Sequence, residues 1–273
     1  MKKDIKLIAF DIDGTIINSK GEVLKENKAL IKKLKEIGIK IILCTGRTFN
    51  GHWWIREELD LMAYDDLSIT STGAYIRKNA TGKALIDKSL SKADVRYIFD
   101  QIDDPRLQMS IHTRDVIFIN EDKPNEAFLK DKGLVRMPRL AYDSLDDIPD
   151  EIARVCLSAS PQILKDFEDK HRQAIETRFK YMRNAPFISE ILNPLAGKSE
   201  ALRDLSELTG INLDNMMYFG DGLNDLKSVE LVGVGVAMGN GAEPTKKAAD
   251  FVIGTNDEPA IADFIRKYLD IDE

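Results

Sequence analysis

Cysteine is scarce: Cys44 and Cys156 are the two in 273 residues, set in unrelated apolar runs with no CxxC spacing. A disulfide framework and a cysteine-bound zinc are therefore not expected, and both thiols read as small buried hydrophobes in a reducing compartment. Long apolar runs are missing too. Met1-Lys2-Lys3-Asp4 leads straight into a short apolar stretch, too brief for a signal segment or a membrane span, which predicts a cytoplasmic protein with no membrane partner. Positive charge is in deficit. The net charge of −7 argues against nucleic acid as a partner, because sequence-independent binding needs a cationic surface to displace counterions. A local basic pocket for one phosphate is compatible with that total. Internal repeats and low-complexity segments are also lacking. What is there, 43% hydrophobic and 31% charged residues, is the composition of a folded chain with one large domain or two modest ones.

Short apolar runs alternate with helical spacing at both ends of the chain. Lys6 to Phe10 ends abruptly in Asp11-Ile12-Asp13-Gly14-Thr15, and Leu24 to Ile37 carries apolar residues at helical intervals before Gly38. Ile39 to Cys44 reads as a second strand, followed by a helix around Phe49 to Met62 and a strand near Leu67 to Thr70. The rhythm returns with a helix at Lys198 to Thr209, strands at Met216 to Phe219, Val234 to Met238 and Phe251 to Ile253, and a helix at Glu258 to Leu269. Such alternation predicts a parallel α/β sheet. The middle differs. Gln108 to His112 and Val116 to Asn120 suggest a hairpin, Val135 to Leu140 and Arg154 to Ser160 further strands, and Ser91 to Ile102 and Pro161 to Ile175 helices. The expectation is a discontinuous core, 1–79 and 188–273, with an α+β insertion over 80–187 as a second domain.

In a parallel sheet, ligands bind outside the carboxyl ends of the strands. Asp11 and Asp13, Thr45, Lys198, and the Asp221/Asn224/Asp225 group all lie at or beside such ends. Carboxylates with a lysine and a hydroxyl suit a hard cation and a phosphoryl group. A carboxylate at Asp11 could attack phosphorus, with Asp13 as acid and then base. Two aspartates beside Gly14 equally suit turn formation and helix capping. Glycines between Gly233 and Gly241 do not form GxGxxG at a first strand–helix turn, so tight packing explains them better than a dinucleotide.

The string Asp11-Ile12-Asp13-Gly14-Thr15 matches the DxDGT signature of the haloacid dehalogenase (HAD) superfamily, and the remaining motifs follow in order: Thr45 at a strand end, Lys198 before a helix, and Gly220-Asp221-Gly222-Leu223-Asn224-Asp225 after a strand. With Thr45-Gly46-Arg47, Gly197-Lys198 and Gly235-Val236-Ala237-Met238-Gly239-Asn240, the chain resembles the Cof-like phosphatases. That resemblance implies a Rossmann-like parallel-sheet core with an inserted α+β cap of type C2 over the crevice, and a Mg2+-dependent hydrolase of phosphoric monoesters. It implies Asp11 as nucleophile and Asp13 as general acid/base. Thr45, Gly46, Arg47, Gly14 and Asn224 would bind substrate, with Lys198 neutralising the phosphoryl charge. Asp11, Asp13, Asp221 and Asp225 would serve the metal. A small phosphorylated metabolite, sugar phosphates first, would be the substrate, and the assembly a monomer or small homo-oligomer. The alternatives are a phosphomutase or phosphotransferase on sugar phosphates, and a non-catalytic phosphometabolite-binding module.

Three positions depart from that pattern: Thr72, where such proteins usually carry asparagine, Ser199 in place of glycine, and Lys227 at an apolar site. Arg47, His112, Arg114, Arg178, Lys180 and Arg183 are candidate substrate contacts, each also readable as a solvated surface charge. His52 and His171 read as surface residues, and Trp53-Trp54 as packing of the second helix.

Overall fold

The computed structural model describes residues 3–119, 124–135 and 137–271. Its contacts divide the chain into two compact units: Met1–Gly46, Trp53–Ile86 and Gly197–Glu273 form one, Arg47–His52 and Asp87–Ala196 the other.

The first unit is built on an eight-stranded sheet. Its order is Phe251–Val252, Val234–Ala237, Met216–Gly220, Leu7–Phe10, Lys40–Cys44, Leu67–Thr70, Tyr75–Lys78 and Ala84–Asp87. The first six strands run parallel, and Tyr75–Lys78 returns antiparallel to Leu67–Thr70. Central strands are apolar on both faces because helices cover both, as a parallel sheet requires. Ile8 and Phe10 join one buried cluster with helices Lys25–Glu36 and Ala260–Leu269; Leu7 and Ala9 join another with helix Lys198–Thr209. Register sets the level of the chemistry. Phe10 pairs with Phe219 on one side and Leu43 on the other, so Asp11, Gly220 and Cys44 leave the sheet at one height.

The second unit has a six-stranded sheet in the order Lys180–Ala185, Ile188–Leu192, Ile152–Ser158, Gln108–Thr113, Ile117–Ile119, Arg139–Ala141. Its pairs are antiparallel except the last, which is parallel. One face is apolar, with Met109, Ile111, Val155, Leu157 and Ile191 buried in a single cluster. Helices Lys92–Asp100 and Pro161–Glu176 contribute Val95, Ile98, Leu164 and Phe167 to that cluster. Ser91 caps the first of these helices in a reciprocal box with Asp94.

The divisions fall at Ile86/Asp87 and Ala196/Gly197 instead of 79/80 and 187/188. The pair Tyr75–Lys78 and Ala84–Asp87 extends the first sheet, whereas Lys180–Ala185 and Ile188–Leu192 pair inside the second. Val135 belongs to a helix, Glu126–Val135, where a strand was expected; the strand begins only at Arg139. The overlooked signal is Asn125, whose side chain accepts the Phe128 N–H at 2.8 Å and starts that helix. The expected strand from Val116 is Ile117–Ile119, and Asn120 lies outside the described residues. The second helix is a short turn, Asn50–His52, leading into Trp53–Glu58.

Candidate active site

Asp11 follows the central strand, and its backbone N–H donates to the Phe219 carbonyl at 2.9 Å. Lys198 opens helix Lys198–Thr209 with its ammonium between two carboxylates, 2.5 Å from Asp11 Oδ1 and 2.7 Å from Asp225 Oδ1. All three side chains are buried. Close backbone approach puts the lysine there. A Cβ on Gly73 would sit 2.1 Å from the Gly197 carbonyl oxygen, and Gly73 adopts φ +84°, so two glycines let the helix start abut the turn after Leu67–Thr70.

Asp225 is fully committed. Besides Lys198, its Oδ1 accepts the Tyr218 hydroxyl at 2.5 Å, while Oδ2 accepts the backbone N–H groups of Asp221 (3.1 Å) and Gly222 (2.9 Å). Asp221 is half-buried, and its Oδ1 accepts the Thr15 hydroxyl at 3.2 Å. Gly14, at φ +79°, makes room for it: a Cβ there would lie 2.5 Å from Asp221 Oδ2. The Gly14 carbonyl in turn accepts from Asn240 Nδ2 at 2.8 Å, and Asn240 Oδ1 accepts the Asn256 N–H at 3.0 Å. Thr45 is buried at the end of its strand; its N–H donates to Ile69 and its carbonyl accepts from Thr72, both at 3.0 Å.

Negative charge is concentrated here beyond what one lysine offsets. Burial pushes the Asp11 carboxyl well above its usual range; Lys198 opposes that, and Asp225, Asp221 and Asp13 add to it. Asp221 rises to about 6, through burial first and then the Asp225 charge. Burial alone would lower the Lys198 ammonium, but Asp11 and Asp225 outweigh it and hold the group above its normal value. Carboxylate oxygens of Asp11, Asp221 and Asp225 lie within 4.8 Å of one another. An all-oxygen donor set with mutually repelling carboxylates fits a small hard cation such as Mg2+.

The geometry thus brings together Asp11, Asp13, Gly14, Lys198, Asp221 and Asp225, with Thr45 and Gly46 ending the neighbouring strand. Asn224 is half-buried on the same turn, its Oδ1 2.5 Å from where a Gly222 Cβ would stand. Arg47 belongs to the second unit, where it is buried and donates to the Gly51 carbonyl at 3.2 Å. The other candidate contacts of that unit are engaged within it. His112 is fully buried: Arg154 Nε donates to its Nδ1 at 3.4 Å, and its Nε2 lies 3.1 Å from Ser110 Oγ. Arg114 pairs with Asp115 at 2.7 Å, Lys180 donates to the Ala196 carbonyl at 2.8 Å, and Arg183 to Glu168 at 3.0 Å. Arg178 lies over the Tyr97 ring, 4.2 Å from its centre.

The expectations for His52, Trp53 and His171 are corrected. His52 is buried with Nδ1 2.9 Å from the Thr48 carbonyl, one turn back. Trp53 is 55% exposed, and only Trp54 packs on the core. His171 is sheltered as well, stacked on Phe167 at 4.9 Å between ring centres. Sequence reasoning missed Tyr218, Thr15 and Asn240 as parts of the site. Only a hydroxyl beneath the fourth motif could have pointed to the tyrosine.

A buried carboxylate paired with a lysine, beside an acidic cluster past the carboxyl ends of a parallel sheet, suits phosphoryl-transfer chemistry. The haloacid dehalogenase-like hydrolase family profile matches residues 8–265, and the chain belongs to that family. YxeH of Bacillus subtilis (strain 168), provisionally named a phosphatase, is 30% identical over 97% of this chain and 98% of its own. YwtE of the same organism, a 5-amino-6-(5-phospho-D-ribitylamino)uracil phosphatase, is 28% identical over 97% and 98%. Among solved structures, a haloacid dehalogenase-like hydrolase from Bacteroides thetaiotaomicron superposes with a TM-score of 0.88 at 26% identity, covering 96% of this chain and 99% of that one.

Proposed function

We propose that the chain is a Mg2+-dependent phosphatase that hydrolyses small phosphorylated metabolites, sugar or sugar-alcohol phosphates first, through an aspartyl-phosphate on Asp11. The observation that carries the reading is the buried Lys198 ammonium clamped between Asp11 and Asp225 at a strand end. YwtE supports the substrate class, since its named substrate carries a phosphate on a ribityl chain.

An Asp11 carboxylate oxygen attacks phosphorus as the bond to the ester oxygen breaks, and Asp13 protonates the departing alkoxide. Asp13 then takes a proton from water, whose oxygen attacks phosphorus and releases Asp11 and inorganic phosphate. Thr45, the Gly46 backbone and Lys198 bind the phosphoryl oxygens, and Asn224 extends substrate binding. The Asp11 and Asp221 carboxylates and the Asp13 carbonyl would hold the cation, which when bound screens phosphoryl charge. Asp225 anchors Lys198, because its oxygens already accept four donors. The inserted segment of the second unit, Asp87–Ala196, is the part that selects substrate.

The test is phosphate release from a panel of phosphorylated metabolites, including ribityl phosphates, with and without Mg2+, for wild type and Asp11→Asn. Mg2+-dependent release abolished by the substitution is expected. Undiminished release from Asp11→Asn would overturn the nucleophile; phosphate passed to a second sugar with none released would favour a mutase.

A further inference from the structure

The floor of the acidic cluster holds a group for which the proposed reaction gives no role. Tyr218 is fully buried on strand Met216–Gly220, and its hydroxyl donates to the same Asp225 oxygen that receives Lys198. A carboxylate offers about four acceptor positions. Tyr218, Lys198 and the N–H groups of Asp221 and Gly222 take four between them. The tyrosine therefore completes the set that fixes the carboxylate plane. Room for a phenol at this depth comes from its register partners, which are Ala9 on one side and Gly235 on the other.

A lysine ammonium on a four-carbon stem is positioned only as well as the oxygens that hold it. Remove the phenol oxygen, and Asp225 Oδ1 keeps Lys198 alone, with the carboxylate freer to turn about its Cβ–Cγ bond. We propose that Tyr218 is a positioning residue: its hydroxyl fixes Asp225, and through Asp225 it sets the Lys198 ammonium against Asp11. This rests on the function proposed above. Cys44 ends the strand Lys40–Cys44, and Tyr218 is among the groups that influence its thiol, so a role through Cys44 is the competing explanation.

The experiment is steady-state kinetics of the full chain with Mg2+ and its best substrate for Tyr218→Phe, Cys44→Ala, Asp225→Asn and the Tyr218→Phe/Asp225→Asn pair. Losing a hydrogen bond to a charged partner predicts a fall in kcat of about 10-fold for Tyr218→Phe, with KM within about two-fold of wild type. Cys44→Ala should leave kcat unchanged. In the Asp225→Asn background, Tyr218→Phe should cause no further loss. A kcat for Tyr218→Phe within two-fold of wild type, or an undiminished loss in the Asp225→Asn background, overturns the inference. If Tyr218→Phe does not fold, 3,5-difluorotyrosine at position 218 changes the same hydrogen bond with the ring retained; an unaltered kcat then overturns it. Wild type that releases no phosphate counts against the proposed function instead, whereas active wild type with an unaffected Tyr218→Phe counts against this inference alone.

Discussion

The two sheets bury charge in different ways. In the first, an acidic cluster with its lysine sits past the strand ends, where Asp11, Lys198, Asp221 and Asp225 meet. In the second, charge lies within the strands themselves. Arg154 Nη1 is 2.9 Å from Glu190 Oε1 with side chains 3% and 8% exposed, and Arg154 also donates to His112. A strand-end cluster leaves Asp11 and Asp221 incompletely compensated and open to a ligand, at a cost in stability. A mid-strand pair is closed and neutral. The difference teaches which buried charges to assign to chemistry: those whose burial the fold has not balanced.

The sharpest way to break that contrast is to remove one charge from each region. Asp11→Asn should abolish phosphate release, on the order of 1,000-fold or more. Without a cation it should melt no lower than wild type, because the lost carboxylate was disfavoured by burial. Glu190→Gln should do the reverse. It strands the Arg154 guanidinium and costs about 3–5 kcal/mol of folding free energy, read by denaturant unfolding. Replacing both partners, Arg154→Met with Glu190→Leu, should recover most of that loss. A stable Glu190→Gln, or an Asp11→Asn that melts far below wild type, would erase the distinction.

The two regions should also answer pH with opposite signs. Asp221 titrates at about 6 against an ordinary 3.8. Between those values the folded chain holds more protons than the unfolded one, so stability falls as pH rises from about 4 to 6. Mg2+ should offset that loss above pH 6. His112 is held well below its ordinary 6.5 by burial and then by the Arg154 charge. There the unfolded chain holds more protons, so stability falls as pH drops below about 6.5. Hydrogen exchange of the metal-free protein, resolved by segment, should show weakening protection around residues 216–225 on raising pH and around 108–113 on lowering it. Parallel trends in both segments would refute the charge assignment.

The strand-end cluster was legible because its spacing is local. Asp11 to Thr15 and Gly220 to Asp225 are short strings, and apolar runs on either side mark where the strands stop. What the sequence hid depends on register between distant segments. Glu190 meets Arg154 only because Ile188–Leu192 pairs with Ile152–Ser158. His112 was read as a possible substrate contact because nothing near it in sequence shows that Arg154 pairs with it across the sheet. Tyr218 looked like one more buried strand residue, since its hydroxyl partner lies seven positions on, past a turn. The Glu126–Val135 helix was obscured because its cap, Asn125, lies outside any periodic run.

The smallest expected effect concerns the turn that joins chemistry to fold. Ser71 and Thr72 take φ of 52° and 57°, left-handed values that β-branched residues such as threonine adopt only under strain. The surroundings enforce it: Thr72 N–H donates to the Thr45 carbonyl, and Gly73 must meet Gly197 for Lys198 to reach its place. Strain at Thr72 is thus a cost of aligning the second and third motifs. Asparagine tolerates the left-handed region better, so Thr72→Asn should stabilise the protein by up to about 1 kcal/mol in denaturant unfolding. Because the backbone hydrogen bond to Thr45 is kept, phosphate release should stay within about two-fold of wild type. A destabilised Thr72→Asn would mean that the threonine side chain, buried at this turn, contributes more through its own contacts than its backbone conformation costs.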